Sequence, residues 1–126
     1  MRAIDTNVLV RLVARDDAAQ LARAEAFVAG GAWVSTVVLA ETRWTLASVY
    51  GLKAPAIAIV VAGLLNSANL ALQDADAVTA ALERFKHRPS LGFSDCLVLE
   101  VARKAGYLPL STFDRPLGKL DGAKAL

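Results

Sequence analysis

The chain has 126 residues, 56% of them hydrophobic, with 14 basic against 12 acidic side chains and a formal net charge of +2. A mean hydropathy of +0.44 excludes intrinsic disorder, and the length is enough for one domain with a sizeable core, with no repeats or linkers to suggest a second. So small a net charge announces no nucleic-acid binder, and no run reaches the roughly 18 apolar residues of a membrane span.

A first strand is expected at Arg2 to Ile4, stopped by the polar group Asp5-Thr6-Asn7. That group also interrupts any apolar leader, so no signal peptide is expected. A helix follows to about Ala14, with Val8, Leu9, Leu12 and Val13 on one face. Asp17 can cap a second helix with an inward stripe of Leu21, Ala24, Phe27 and Val28, ended by Gly30-Gly31. Trp33 to Ser35 is a second strand, and a long helix runs from Val37 to Tyr50, where Gly51 stops it. Pro55 opens a helix reaching about Asn66 that is apolar nearly all round, from Ala56 and Ile57 to Leu64 and Leu65. Such a helix is either core or, in a chain this short, an interface.

Leu70 to Gln73 is a third strand, and Asp74 or Asp76 caps a helix reaching about Lys86. Ser94 is expected to cap the next helix, which ends at Gly106. On it, Cys96 reads as core packing; as the only cysteine it cannot close an internal disulfide, which suits a reducing cytoplasm. Leu108 to Ser111 is a fourth strand and Lys124 to Leu126 a fifth. Strands separated by helices imply an α/β fold whose parallel sheet is covered on both faces. In such sheets the site lies beyond the carboxyl ends of the strands.

Four acids stand out against that frame. Asp5 comes directly after the first strand and Asp114 follows the fourth, so both belong at one rim. Glu41 has Val37, Val38, Trp44 and Thr45 three and four positions away, a largely apolar face. Asp95 shares a stripe with Val98, Leu99 and Ala102. A carboxylate on such a face is costly unless paired or metal-bound. Each acid also has an ordinary account: Asp5 as a helix cap, Asp95 in a first turn, Asp114 in a turn, Glu41 beside Arg43 or Arg11. Clustered carboxylates raise one another's pKa until a cation neutralises them. Oxygen donors without histidine or cysteine suit Mg²⁺ or Mn²⁺ rather than zinc.

The segments Ala3-Ile4-Asp5-Thr6-Asn7-Val8-Leu9, Ser35 to Glu41, Phe93-Ser94-Asp95-Cys96-Leu97 and Ser111 to Leu117 occur in an order and spacing that resemble the PIN-domain ribonucleases, in particular the VapC-type toxins of toxin–antitoxin pairs. The resemblance implies a three-layer sandwich with a parallel five-stranded sheet flanked by helices. It implies that Asp5, Glu41, Asp95 and Asp114 are catalytic and bind Mg²⁺ or Mn²⁺, with Asn7 and Thr112 in support. The implied activity is endonucleolytic cleavage of structured RNA, at tRNA or ribosomal RNA loops. The implied partners are an RNA substrate, a second copy in a homodimer, and an antitoxin whose peptide covers the site.

His87 is the only histidine, so a pair of catalytic histidines is excluded. It lies in the basic stretch Arg84 to Arg88, either a solvated helix end or an RNA-backbone contact through Arg84, Lys86 and Arg88. Arg11, Arg15, Arg43 and Arg115 are further candidates for phosphate. A receiver-type signalling domain is excluded because no acid occurs from Gly51 to Gln73. A haloacid dehalogenase-like phosphatase needs an aspartate where Asn7 stands. A PIN-fold module that binds RNA or protein without catalysis is the remaining alternative.

Overall fold

Five parallel strands and seven helices alternate along the chain, and the computed structural model describes all 126 residues. They fall into two units, Met1–Ala75 and Asp76–Leu126.

In the first unit, strands β1 (Arg2–Ala3), β2 (Ala32–Val34) and β3 (Leu70–Leu72) pair in the order β1-β2-β3, with Arg2 opposite Ala32 and Trp33 opposite Ala71. Four helices connect or flank them: α1 (Thr6–Ala14), α2 (Ala18–Val28), α3 (Thr36–Ser48) and α4 (Ala54–Leu65). The starts of three are set by short polar side chains that accept from otherwise unpaired amides. Asp5 accepts from the Val8 N–H at 3.1 Å, Asp17 from Gln20 at 3.0 Å, and Ser35 from Val38 at 3.0 Å. α4 has no such side chain and relies instead on Pro55 in its first turn. α1 ends at Arg15, whose left-handed backbone (φ 56°) lets its N–H reach the Arg11 carbonyl.

α1 lies against α2 and α3, and α4 against β3 and α3. Leu9, Val34, Leu39, Leu46, Ile57 and Val61 are buried. α4, apolar on every side in sequence, buries only the stripe Ile57, Val61 and Leu64 and leaves Ile59 73% exposed. A polar network joins α1 to the end of α3. Arg11 donates to Gln20 Oε1 at 2.6 Å, to Asp16 Oδ1 at 3.0 Å and to the Tyr50 hydroxyl at 3.2 Å, and that hydroxyl donates to Asp16 Oδ2 at 2.8 Å. The Tyr50 hydroxyl, more than any other group, holds the Asp16 carboxyl below the usual carboxylate range.

The second unit contains all but the first residue of α5 (Ala75–His87), a 3₁₀ turn at Pro89–Leu91, α6 (Phe93–Ala105), β4 (Leu110–Thr112), α7 (Arg115–Gly118) and β5 (Ala123–Ala125). Phe85 and Phe93 meet edge to face with centroids 6.1 Å apart. Glu100 is only 6% exposed, and its Oε2 accepts from Arg84 Nε at 3.2 Å and Arg103 Nε at 3.3 Å. Lys104 reaches back from α6 to Asp76 at 2.7 Å. Gly118 allows α7 to lie on β5, because a Cβ there would stand 2.7 Å from that of Ala125.

Three expectations are corrected. The five parallel strands form a three-stranded and a two-stranded sheet rather than one five-stranded sheet. Strands of two or three residues make few ladder bonds each, and β1 offers only Arg2 and Ala3 for pairing. The fourth strand starts at Leu110 rather than Leu108, because Pro109 has no N–H and the first ladder bond is Leu110 N–H to Gly122 O at 2.8 Å. α6 begins after Gly92 (φ 79°), which places Ser94 inside its first turn rather than at its cap. No helix is long and apolar enough to cross a membrane.

Two outcomes follow from the packing of the first unit. Thr42 is fully buried on α3 with no partner for its hydroxyl. Thr42→Val is expected to raise stability by about 1 kcal/mol in chemical denaturation, since an unsatisfied buried hydroxyl is removed at nearly constant volume. Because the folded-state pKa of Asp16 is lowered, its contribution to stability is present above the usual carboxylate range and lost as pH falls through the folded value. Tyr50→Phe is expected to move the Asp16 midpoint upward in an NMR titration and to bring that loss on at higher pH.

Candidate active site

The sharp start of α1 positions the first pair of acids. Asp5 leaves β1 with one intervening residue and caps α1 through Oδ1. The next residue, Thr6, donates its hydroxyl to Glu41 Oε1 at 3.1 Å, which joins α1 to α3 at the carboxylates themselves. Asp5, Thr6, Asn7, Glu41, Trp44 and Thr45 line one open hollow of about 570 Å³. A neighbouring hollow of about 700 Å³, between β1, α1 and α2, shares Asp5 and Asn7 with it and is also lined by Arg11, Arg23 and Phe27. Asp5, Glu41 and Asn7 are all exposed.

Glu41 therefore faces solvent and not the core. The inward stripe of α3 is Leu39, Thr42 and Leu46, while Val37 and Trp44 on the Glu41 side are 66% and 61% exposed. The apolar neighbours of Glu41 in sequence are an exposed apolar face. Of the two arginines expected beside it, Arg11 pairs with Asp16 instead.

In the second unit, Asp95 lies in the first turn of α6, half-buried, on a helix whose Leu99 is fully buried and whose Val98 is exposed. Asp114 follows β4 after one residue and caps α7, accepting from the Leu117 N–H at 2.9 Å. The Thr112 hydroxyl accepts from the Asp114 N–H at 3.0 Å and so holds the turn that presents this acid. Both strand-end acids thus stand beyond the carboxyl end of a parallel strand, each in its own sheet.

Sequence reasoning names Thr6 only within the polar group that stops the first strand, and Trp44 and Thr45 only as neighbours of Glu41. The available signal was helical spacing, because Trp44 and Thr45 sit one turn beyond Glu41. Arg84, a candidate for phosphate, is committed through Nε to buried Glu100, and Lys86 stands 3.6 Å from Glu83. Cys96 is fully buried, and that burial, aided by the charge of Asp95, pushes its thiol up and away from thiolate chemistry.

The donors fit a hard divalent cation. In the first unit, the hydrogen bonds to Asp5 and Glu41 engage Oδ1 and Oε1, leaving the second carboxylate oxygen of each for a ligand. Neither unit by itself gathers three or more histidine, cysteine, aspartate or glutamate side chains into a metal cage. Two carboxylates suit Mg²⁺ nonetheless, since it keeps several waters and is completed by substrate phosphate.

No curated protein and no solved structure matches the chain. The PIN domain family matches it over residues 3–123, the segments around all four acids included, and PIN domains are in general metal-dependent nucleases. An alternation of parallel strands and helices, acids beyond the strand ends and a match across nearly the whole chain together show that it belongs to the PIN domain family.

Proposed function

We propose that this PIN domain is a Mg²⁺- or Mn²⁺-dependent endoribonuclease that cuts structured RNA at tRNA or ribosomal RNA loops and serves in the cytoplasm as the VapC-type toxin of a toxin–antitoxin pair. The observation that carries the reading is the Thr6-linked pair of carboxylates, Asp5 and Glu41, in one open hollow. Asp5 and Glu41 are assigned as metal ligands with Asp95 and Asp114 as the further acids, and Asn7 and Thr112 support them. A cation held by Asp5 and Glu41 would lower the pKa of a water bound to it and offset negative charge on the phosphodiester.

The chain's own residues do the positioning. Thr6 fixes one oxygen of Glu41, the α1 cap fixes one of Asp5, and the exposed Asn7 amide beside them is a donor for a phosphate oxygen. Arg11 and Arg84 are tied up internally, so backbone contacts fall to other cations such as Arg88 and Arg115, both exposed. Contacts of that kind make RNA binding fall with salt. The exposed Ile59 side of α4 is assigned to the homodimer. The open hollow offers an antitoxin peptide a place to exclude RNA.

The test uses the purified full chain with tRNA and ribosomal RNA, mapping new 5′ ends with manganese, with magnesium and with excess EDTA. Cleavage is expected with either metal and not with EDTA. Asp5→Asn is the informative variant, because asparagine caps a helix as well as aspartate does and so preserves α1. It is expected to lower the cleavage rate at least about a hundredfold with an unchanged circular dichroism melt. Undiminished cleavage in Asp5→Asn or in EDTA overturns the proposal, and RNA that binds but is never cut points to a non-catalytic module.

A further inference from the structure

Trp44 is the feature of the hollow that acid chemistry does not explain. Its ring is 61% exposed, on the same side of α3 as Glu41 and one turn beyond it. The five other residues lining the hollow, Asp5, Thr6, Asn7, Glu41 and Thr45, are all polar. An exposed indole sacrifices hydrophobic stabilisation that the chain could have gained by burying it. Val37 on the same side of α3 is exposed but does not line the hollow, where a single flat ring among polar groups is poorly matched to an apolar helix from a protein partner, which needs a broader apolar floor. It is well matched to an unpaired nucleobase, whose face stacks on an aromatic ring while its edge finds hydrogen bonds. Asn7 and Thr45 offer donors and acceptors for such an edge.

We infer that Trp44 is the stacking platform for an unpaired base of the RNA next to the acids, and that it makes the site selective for single-stranded or looped RNA over duplex. This rests on the ribonuclease reading for the identity of the ligand. The charges argue in the same direction. Asp5 and Glu41 repel phosphate until a cation joins them, so attraction that does not depend on charge has to come from uncharged groups, and the indole is the one apolar surface among those lining the hollow. In a duplex both faces of every base are covered by neighbours, so the platform has nothing to bind.

The test follows Trp44 fluorescence in Trp33→Phe protein, which leaves Trp44 as the only tryptophan. An eight-nucleotide single-stranded RNA and a blunt duplex of the same length are titrated in calcium, which takes oxygen ligands. Quenching by the single strand and not by the duplex is expected. In the Trp33→Phe protein Trp44→Phe is expected to keep most of the affinity, read by anisotropy of labelled RNA, and Trp44→Ala to weaken it about tenfold or more. In manganese, Trp44→Ala is expected to raise KM with little change in kcat. Because the ring is exposed, neither variant threatens the fold, which a thermal melt checks.

Quenching without any cleavage in manganese would uphold the platform while the ribonuclease reading fails. Cleavage with no quenching and with KM unchanged in Trp44→Ala would overturn the platform while that reading stands. Equal quenching by duplex, or a ring shielded from acrylamide in a dimer without RNA, would also overturn it, the latter by making the surface a protein contact.

Discussion

Two like charges in one hollow need something positive or hydrogen-bonding beside them, and the start of α1 supplies it. The helix presents unpaired amides and the positive end of its dipole to Asp5, and its first residue presents a hydroxyl to Glu41. Remove the turn after β1 and neither acid has a fixed place: one would lose its cap and the other its tether to a different helix. The rest of the first unit serves that junction. The core stripe of α3 turns Leu39, Thr42 and Leu46 inward, which leaves Val37, Glu41 and Trp44 on the open side.

Most of the chain's cations serve structure before they serve a ligand. Arg11 holds Asp16, Gln20 and Tyr50 together, and Arg84 and Arg103 share one oxygen of a carboxylate with almost no access to water. Pairing of this kind leaves the net charge of +2 unchanged but withdraws these three arginines from contact with phosphate. The buried Glu100 cluster fits neither reading of Arg84: sequence alone left it on a solvated basic helix end or on RNA backbone, and the structure ties its Nε inward.

Much of the fold was legible where local chemistry decides it. Asp5, Asp17, Gly51 and Pro55 mark element ends for reasons contained in a few neighbouring residues, and the structure puts ends there. Legibility failed where a backbone conformation or a distant partner decides. Ser94 has the right chemistry for a cap, yet Gly92 can take the positive φ that the turn into α6 requires. α7 was missed because four residues show no periodicity, and its existence depends on Gly118 approaching β5. Helical spacing placed Glu41 among apolar residues correctly but gave the face the wrong environment, since periodicity identifies a stripe without saying whether another element covers it. The strand-end acids were found through topology, whereas the role of Thr6 depends on a partner 35 positions away that no local pattern shows.

α1 is fastened to α3 twice. Thr6 meets Glu41 at one end, and Arg11 meets Tyr50 just beyond the other end of α3. From Glu41 to Ser48, the last residue of α3, is seven positions, roughly 10 Å of helix at 1.5 Å per residue, and Tyr50 stands two residues beyond. Two fastenings that far apart suppress rotation as well as sliding, so the helices behave as a clamp with a set jaw width. Because Asp5 caps one of these helices and Glu41 stands on the other, the gap between the two carboxylates depends on how the pair is held together and not on either acid's own turn alone.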